Sequence, residues 1–412
     1  MIIYNLYLGI ISQYIELSSQ TLPPLPADLI PPPLEINCSD STLSRFLTGR
    51  RQEKRVFDLF GMAQELWTVE ARLWELSDSV DLFVIFESTL THRRALKPLF
   101  LSRNIERFQH LRHKIKVVID DDAANYKYLA INQSKEADWP LINWMRTVIY
   151  RKLIEMVELN PEDIIIHGDA DEIPLRYYIK HLKHCEIRDD ALPLAFSGTF
   201  FEFSYNHIYR TGHPLKLPNV FRKEHVEKNK GMLVRIMGVP TLPYPSAVHL
   251  NRFGGTLVDV TFKESAMAEG GHFNFRVFNH IEDVISRQFV DPVWEGIRLS
   301  KSSPSERNYV PWLTKSFPER FHYFWMNKTE ALELIKDVSQ HHEDYLPHTK
   351  DEYISQKESS QLEIPSSIEF KSSVECNAGF PLYQIVILMF AQTLICIICL
   401  KCKKNKSINH FL

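Results

Sequence analysis

The run Asp163-Ile164-Ile165-Ile166-His167-Gly168-Asp169-Ala170-Asp171-Glu172-Ile173-Pro174 narrows the choice of fold more than any other stretch of this chain. Three successive isoleucines, β-branched and bounded by Glu162-Asp163 and by Gly168, predict a covered central strand of an α/β sheet. Open α/β sheets bind ligands beyond the carboxyl ends of their strands, and this strand ends by delivering three carboxylates. Asp169, Asp171 and Glu172 are hard oxygen donors suited to Mg²⁺ or Mn²⁺, and a divalent ion held there can bridge to a diphosphate. Acidic residues after a strand also serve simply to solvate a loop. The triple Asp120-Asp121-Asp122, following Val117-Val118-Ile119, competes for the same role; it lacks a Gly or Pro stop and ranks second.

Periodicity extends the α/β reading. Met62, Leu66, Val69, Leu73 and Leu76 recur at three- and four-residue intervals and predict one face of a helix. A strand is expected over 81–87, and a second helix through Ile142, Met145, Ile149, Leu153 and Met156 ends at Asn160-Pro161. After Pro174 come a helix to Cys185 and shorter strands over 193–203 and 231–236. Alternation of this kind favours a mixed, mainly parallel sheet with helices on both faces. Glu87 after Val84-Ile85-Phe86, the aspartates after Val117-Val118-Ile119, and Asp169 with Asp171 would then share one sheet edge.

Around this domain, drawn at 56–345, the composition changes. Residues 1–55 read as a weak signal segment and a Pro-rich linker, and 346–381, rich in Ser, Glu and Lys, as a stalk. Residues 382–400 are almost wholly apolar, and about 19 residues at about 1.5 Å each just cross a hydrocarbon core. The basic tail 401–412 places the C-terminus in the cytosol by the positive-inside rule. Cys402 is a candidate for juxtamembrane acylation. Sequons at Asn37, Asn132 and Asn327 are compatible with a lumenal domain. Of six cysteines, Cys38 and Cys376 flank the globular region and are either bridged in an oxidising lumen or both free. A formal net charge of -3, without interleaved basic and aromatic residues, argues against nucleic acid as a partner.

Four ordered blocks resemble glycosyltransferase family 17. Glu65-Leu66-Trp67-Thr68-Val69-Glu70-Ala71-Arg72-Leu73 is similar to the family's E-x-x-x-x-E-x-R-L helix, and the stretch from Val84-Ile85-Phe86-Glu87 to Lys97-Pro98-Leu99 to its strand and loop. Arg146 with Gly168-Asp169-Ala170-Asp171-Glu172-Ile173-Pro174 resembles its Arg helix and D-A-D-E-I-P block. Phe317-Pro318-Glu319-Arg320-Phe321-His322-Tyr323 resembles its closing block. The resemblance implies a GT-A-like, Rossmann-related fold and an inverting transfer of GlcNAc from UDP-GlcNAc to a mannose of a protein N-glycan. It also implies a divalent cation and a Golgi or other secretory membrane with the catalytic domain in the lumen. Asp171 is then the direct metal ligand, with Asp169 a ribose or outer-sphere contact. Glu87, Lys97, Arg146 and Glu172 are donor-binding candidates, and Glu172 alternatively caps the following helix.

Gly270-Gly271-His272-Phe273 is similar to the family's G-W-H-F block, which makes His272 a candidate metal or diphosphate contact, or else a structural hydrogen-bonder. Gly271 stands where the family has tryptophan, and the second half matches weakly. A catalytically weakened, membrane-tethered nucleotide-sugar or glycan-binding protein is therefore the second expectation. The general base is one of Asp259, Glu264, Glu269 and Asp291, with Glu269 first for its nearness to His272. A phosphohydrolase using Asp169 as nucleophile is disfavoured, because Glu172 stands where such motifs carry a hydroxyl or small residue.

Overall fold

The computed structural model describes residues 25–26, 29–89, 98–120, 139–202, 204–209, 216–233, 235–236, 238–251, 253 and 299–325. The stalk, the apolar run 382–400, the basic tail, Lys97, Glu269 and His272 lie outside them. Among the described residues no helix is long and apolar enough to cross a membrane.

The fold is mixed α/β. Thirteen strands are described: β1 (Leu47–Arg51), β2 (Val56–Met62), β3 (Leu82–Ser88), β4 (Ile115–Asp120), β5 (Ile164–Asp169), β6 (Glu172–Pro174), β7 (Cys185–Ile187), β8 (Leu194–Ala195), β9 (Gly198–Glu202), β10 (Ser204–Tyr209), β11 (Asn219–Phe221), β12 (Ala247–Asn251) and β13 (Leu299–Lys301). The helices that matter to the site are α1 (Leu66–Leu76), α2 (Phe100–Arg103), α3 (Trp139–Met156), α4 (Arg176–His184) and α5 (Trp312–Ser316). A six-stranded sheet runs β4-β3-β2-β5-β11-β8, with its first four strands parallel and β11 antiparallel to both neighbours. A five-stranded sheet runs β13-β10-β9-β12-β6.

Both faces of the larger sheet are covered, as a run of three isoleucines requires. Val56 and Phe60 of β2 and Ile164 and Ile166 of β5 pack in a cluster with Val69 and Leu73 of α1. Phe57 and Leu59 of β2 and Ile165 of β5 pack in another with Met145, Ile149 and Leu153 of α3. The strand period of two sorts neighbouring residues between these faces. In the parallel register Gly61 lies opposite Asp169, Met62 opposite Glu87, and Ser88 opposite Asp120. The carboxyl ends of four strands therefore align on one edge.

Several expectations shift. Met62 closes β2 and α1 begins at Leu66, so the helical spacing of Met62 is accidental. Among the described residues of 231–236 no strand forms: Lys230 and Gly231 have φ of 56° and 75°, and the backbone of Ile236 bonds the Asn219 side chain instead. The folded unit also reaches back past residue 56, since Leu43, Phe46 and Leu47 lie in the core and β1 pairs with β7.

Cys38 is bridged to Cys185, not Cys376. Pairing of β1 with β7 brings the N-terminal segment to the end of α4, where Cys185 is fully buried. The bond closes a loop with a sequence separation of 147. Cys38→Ser is expected to lower stability by about 2–4 kcal/mol, read as a shift of the urea midpoint. A loss well under about 1 kcal/mol would show that β1 is held by its strand pairing alone.

Candidate donor site at the carboxyl edge of the sheet

The carboxylate block sits where the two sheets join. β5 ends at Asp169, Ala170 and Asp171 turn the corner, and β6 begins at Glu172 in the other sheet. Arg72, fully buried on α1, fixes this corner. Its Nε and Nη2 make a bidentate pair with Asp58 at 2.8 and 2.7 Å, while Nη1 donates to the carbonyls of Asp169 and Glu172 at 2.8 and 2.6 Å. From the other side Leu250 N–H donates to the Asp171 carbonyl at 2.8 Å. Gly168 is required by close approach: a Cβ there would stand 2.6 Å from Pro218 Cβ and 2.8 Å from Glu172 Oε2.

The three carboxylates have different partners. Asp169, with its side chain half exposed, accepts from Arg146 at 3.5 Å and from Arg235 through its other oxygen. Desolvation would raise its pKa, but Arg235 and then Arg146 outweigh that and hold it at about 2. Glu172 is fully buried; its Oε2 accepts the Asp169 N–H at 2.9 Å and its Oε1 pairs with Arg235 at 2.8 Å. Burial pushes this carboxyl above its ordinary range, against the pull of Arg235. Glu172 thus closes the corner between the strands and does not cap α4, whose first N–H, from Arg176, goes to Glu75 at 3.0 Å. Asp171 Oδ2 faces His249 Nε2 at 3.4 Å, and the His249 ring packs against Phe200 with centroids 4.3 Å apart. β12 delivers His249 because its register sets His249 opposite Glu172.

His167 lies beneath this group, 2% exposed, with Nδ1 at 3.0 Å from the Leu59 carbonyl. Burial and the nearby Arg146 push its pKa down to about 3, so the ring is neutral. Glu87 is fully buried, and its oxygens accept the N–H groups of Leu101 and Ser102 at 2.7 and 3.0 Å and the Ser102 hydroxyl at 2.7 Å. In this arrangement Glu87 anchors α2 and offers no open oxygen to a nucleotide. Of the predicted site residues, Asp169, Asp171, Glu172 and Arg146 come together. Arg235 and His249 join them with no sequence motif to single either out, beyond the alternating pattern of Ala247–Asn251.

Two resemblance blocks distant in the chain also meet. Glu70 of α1, fully buried, takes Arg107 at 2.6 and 3.2 Å and Arg320 of the closing block at 2.8 and 3.0 Å. Trp67 meets Phe321 edge to face. Burial alone would raise the Glu70 pKa, but the two guanidiniums hold it below the usual range.

Residues 18–212 match Glycosyltransferase family 17. In the same family-level terms, 154 residues are 27% identical to the Beta-1,4-mannosyl-glycoprotein 4-beta-N-acetylglucosaminyltransferase of Homo sapiens, covering 37% of this chain and 28% of that protein. The counterparts of Rattus norvegicus and Mus musculus match over the same length, with 27% of each covered. The matched stretch thus spans little more than a quarter of these relatives. A mannosyltransferase, PcManGT from Pyrobaculum calidifontis in complex with GDP-Man and Mn²⁺, aligns over 87% of this chain and 90% of its own. Its TM-score is 0.31 at 11% identity, too slight a likeness to define the fold.

For a divalent ion the donor set decides. Among the described residues no three His, Cys, Asp or Glu side chains converge into a ready metal cage. The separation of Asp171 Oδ2 from His249 Nε2 is nevertheless that of two donors sharing one ion at about 2.0–2.2 Å each. The pair, one carboxylate oxygen and one imidazole nitrogen, fits part of a transition-metal shell such as that of Mn²⁺ better than the all-oxygen shell of Mg²⁺, and would leave the rest to waters and substrate phosphates.

Proposed function

We propose that this chain is an inverting, metal-dependent glycosyltransferase of GT-A-like architecture that moves GlcNAc from UDP-GlcNAc to a mannose of a protein N-glycan in β-1,4 linkage. The observation that carries the reading is the Asp169-Ala170-Asp171-Glu172 corner at the carboxyl edge of a mainly parallel sheet, flanked by Arg146, Arg235 and His249. The family match over 18–212 supports it, because that span contains Arg72, Arg146 and Asp169–Glu172, though not Arg235 or His249. A Mn²⁺ or Mg²⁺ ion held by Asp171 and His249 would neutralise charge on the departing diphosphate. Arg146 adds a fixed positive charge beside that position, and Arg72 keeps the corner from yielding as charge develops. Inverting transfer also needs a carboxylate to take the acceptor hydroxyl proton, and Glu269 is the first to replace.

The Cys38–Cys185 bond favours an oxidising compartment. With the apolar run 382–400 as anchor, a Golgi or other secretory membrane with a lumenal catalytic domain follows. Asn37 is exposed, and an endoglycosidase-sensitive mass on it in cells would support this address; an unmodified Asn37 with free thiols would remove it.

The test is a screen of UDP-sugars with and without Mn²⁺, read by nucleotide release and by product mass on an N-glycan acceptor panel. Metal-dependent release from UDP-GlcNAc with a matching product is the expected result. The family match ends at residue 212, before the departure at Gly271, and this favours a second reading: a tethered nucleotide-sugar or glycan-binding protein. Tight UDP binding without turnover would select it.

A further inference from the structure

Arg235 does more than neutralise charge: its guanidinium spans Asp169 and Glu172, the two carboxylates on either side of Asp171. Its own segment is anchored away from the carboxylates. The fully buried Asn219 accepts Ile236 N–H at 3.1 Å and donates to the Ile236 carbonyl at 3.3 Å, in imitation of a strand pairing. The turn at Lys230-Gly231, with left-handed φ at both residues, sets where the segment begins, and a Cβ on Gly231 would meet Tyr150 at 3.7 Å. The backbone is thus held while the long side chain, 29% exposed, reaches across to the corner. Arg146 differs: it rises from α3 with 9% of its side chain exposed and approaches Asp169 only at 3.5 Å.

At the corner Asp169 pairs with Arg146 and Arg235, Glu172 pairs with Arg235, and Arg72 is balanced by Asp58. A cation drawn to Asp171 and His249 meets two neighbours whose charge Arg235 already offsets. Both carboxylate contacts of Arg235 go through one nitrogen, Nη2, whereas a diphosphate offers the whole guanidinium fork a bidentate pair of oxygens.

We propose that Arg235 is an exchangeable gate: in the nucleotide-free protein it occupies Asp169 and Glu172 and weakens cation binding, and an arriving nucleoside diphosphate takes it over and frees those carboxylates for the ion. Donor and cation then bind with positive coupling, each strengthening the other by the same factor. The inference deepens the donor-site reading and rests on it. Arg235 is a positioning residue here, acting on the ion through the two carboxylates.

The experiment uses the full chain, with Mn²⁺ binding followed by loss of the free-ion EPR signal, with and without UDP. In the wild type UDP should tighten Mn²⁺ binding at least about tenfold, a coupling of about 1.4 kcal/mol. Arg235→Gln should bind Mn²⁺ alone at least about tenfold more tightly, bind UDP more weakly, and lose the coupling. Arg235→Lys, which keeps the charge without the planar fork, should leave Mn²⁺ affinity near wild type while still weakening UDP. Unchanged Mn²⁺ affinity in folded Arg235→Gln, or coupling that survives in it, overturns the gate. Should Arg235→Gln not fold, Arg235→Lys carries the test: undiminished UDP binding in it overturns the gate equally. A wild type that binds Mn²⁺ but no UDP, GDP or ADP removes the nucleotide-sugar reading itself, which is a different result from a gate that fails while UDP binds.

Discussion

Arg72→Met is expected to lower the folding free energy by about 3–5 kcal/mol, the usual cost of stripping one partner from a buried ion pair. The charge of Asp58 would be left at zero exposure without its guanidinium, and the carbonyls of Asp169 and Glu172 would lose their shared donor. Methionine fills much of the space and keeps contact with Phe60, over whose ring the guanidinium now lies at 4.4 Å. The loss is therefore electrostatic more than a cavity effect. Urea unfolding of the wild type, Arg72→Met, Asp58→Asn and the double variant would measure it. The double variant should recover part of the loss, because an absent pair costs less than a broken one. A single-variant loss under about 1 kcal/mol would mean that the corner holds itself.

The second large effect concerns activity. Asp171→Asn keeps the shape of the side chain and removes the negative charge, so cation-dependent nucleotide release should fall on the order of a hundredfold or more. His249→Gln should fall less, about 10- to 100-fold, with part of the loss recovered at high Mn²⁺. Asp169→Asn should weaken the ion chiefly once donor is bound, because it is the donor that draws Arg235 off the Asp169 oxygens. Titrating Mn²⁺ at fixed donor and then donor at fixed Mn²⁺ separates the three. Activity in Asp171→Asn equal to wild type would sink the assignment of the ion to Asp171.

Much of this was legible in the residues. The three isoleucines of β5 predicted a strand covered on both faces, and both faces are covered. The helices around Leu66, Val69 and Leu73 and around Met145, Ile149 and Leu153 lie where their periodicity placed them. Glu70 and Arg320, quoted from blocks at opposite ends of the domain, are in contact. What stayed hidden is what sequence spacing cannot encode. β2 escaped notice because Asp58 interrupts its apolar pattern, and only Arg72, 14 residues on, makes that aspartate a core residue. Arg235 and His249 reach the carboxylates through sheet register and an irregular segment, not through a motif. Glu87 looked like a donor contact because it ends a strand, yet the backbone of α2 takes both its oxygens. Cys185 gave no hint of Cys38, because their nearness depends on a strand pairing across most of the first half of the chain.

The corner between the two sheets has a consequence for how such a protein can change over time. Only Ala170 and Asp171 separate β5 from β6; Arg72 ties the flanking carbonyls of Asp169 and Glu172, and Leu250 N–H ties that of Asp171. Strands β9, β10 and β13 stand on the far side of β12 from that tie. Side chains of β10 and β13, beyond β9, can therefore change without disturbing the carboxylate corner, whereas Phe200 of β9, packed on His249, is tied to it.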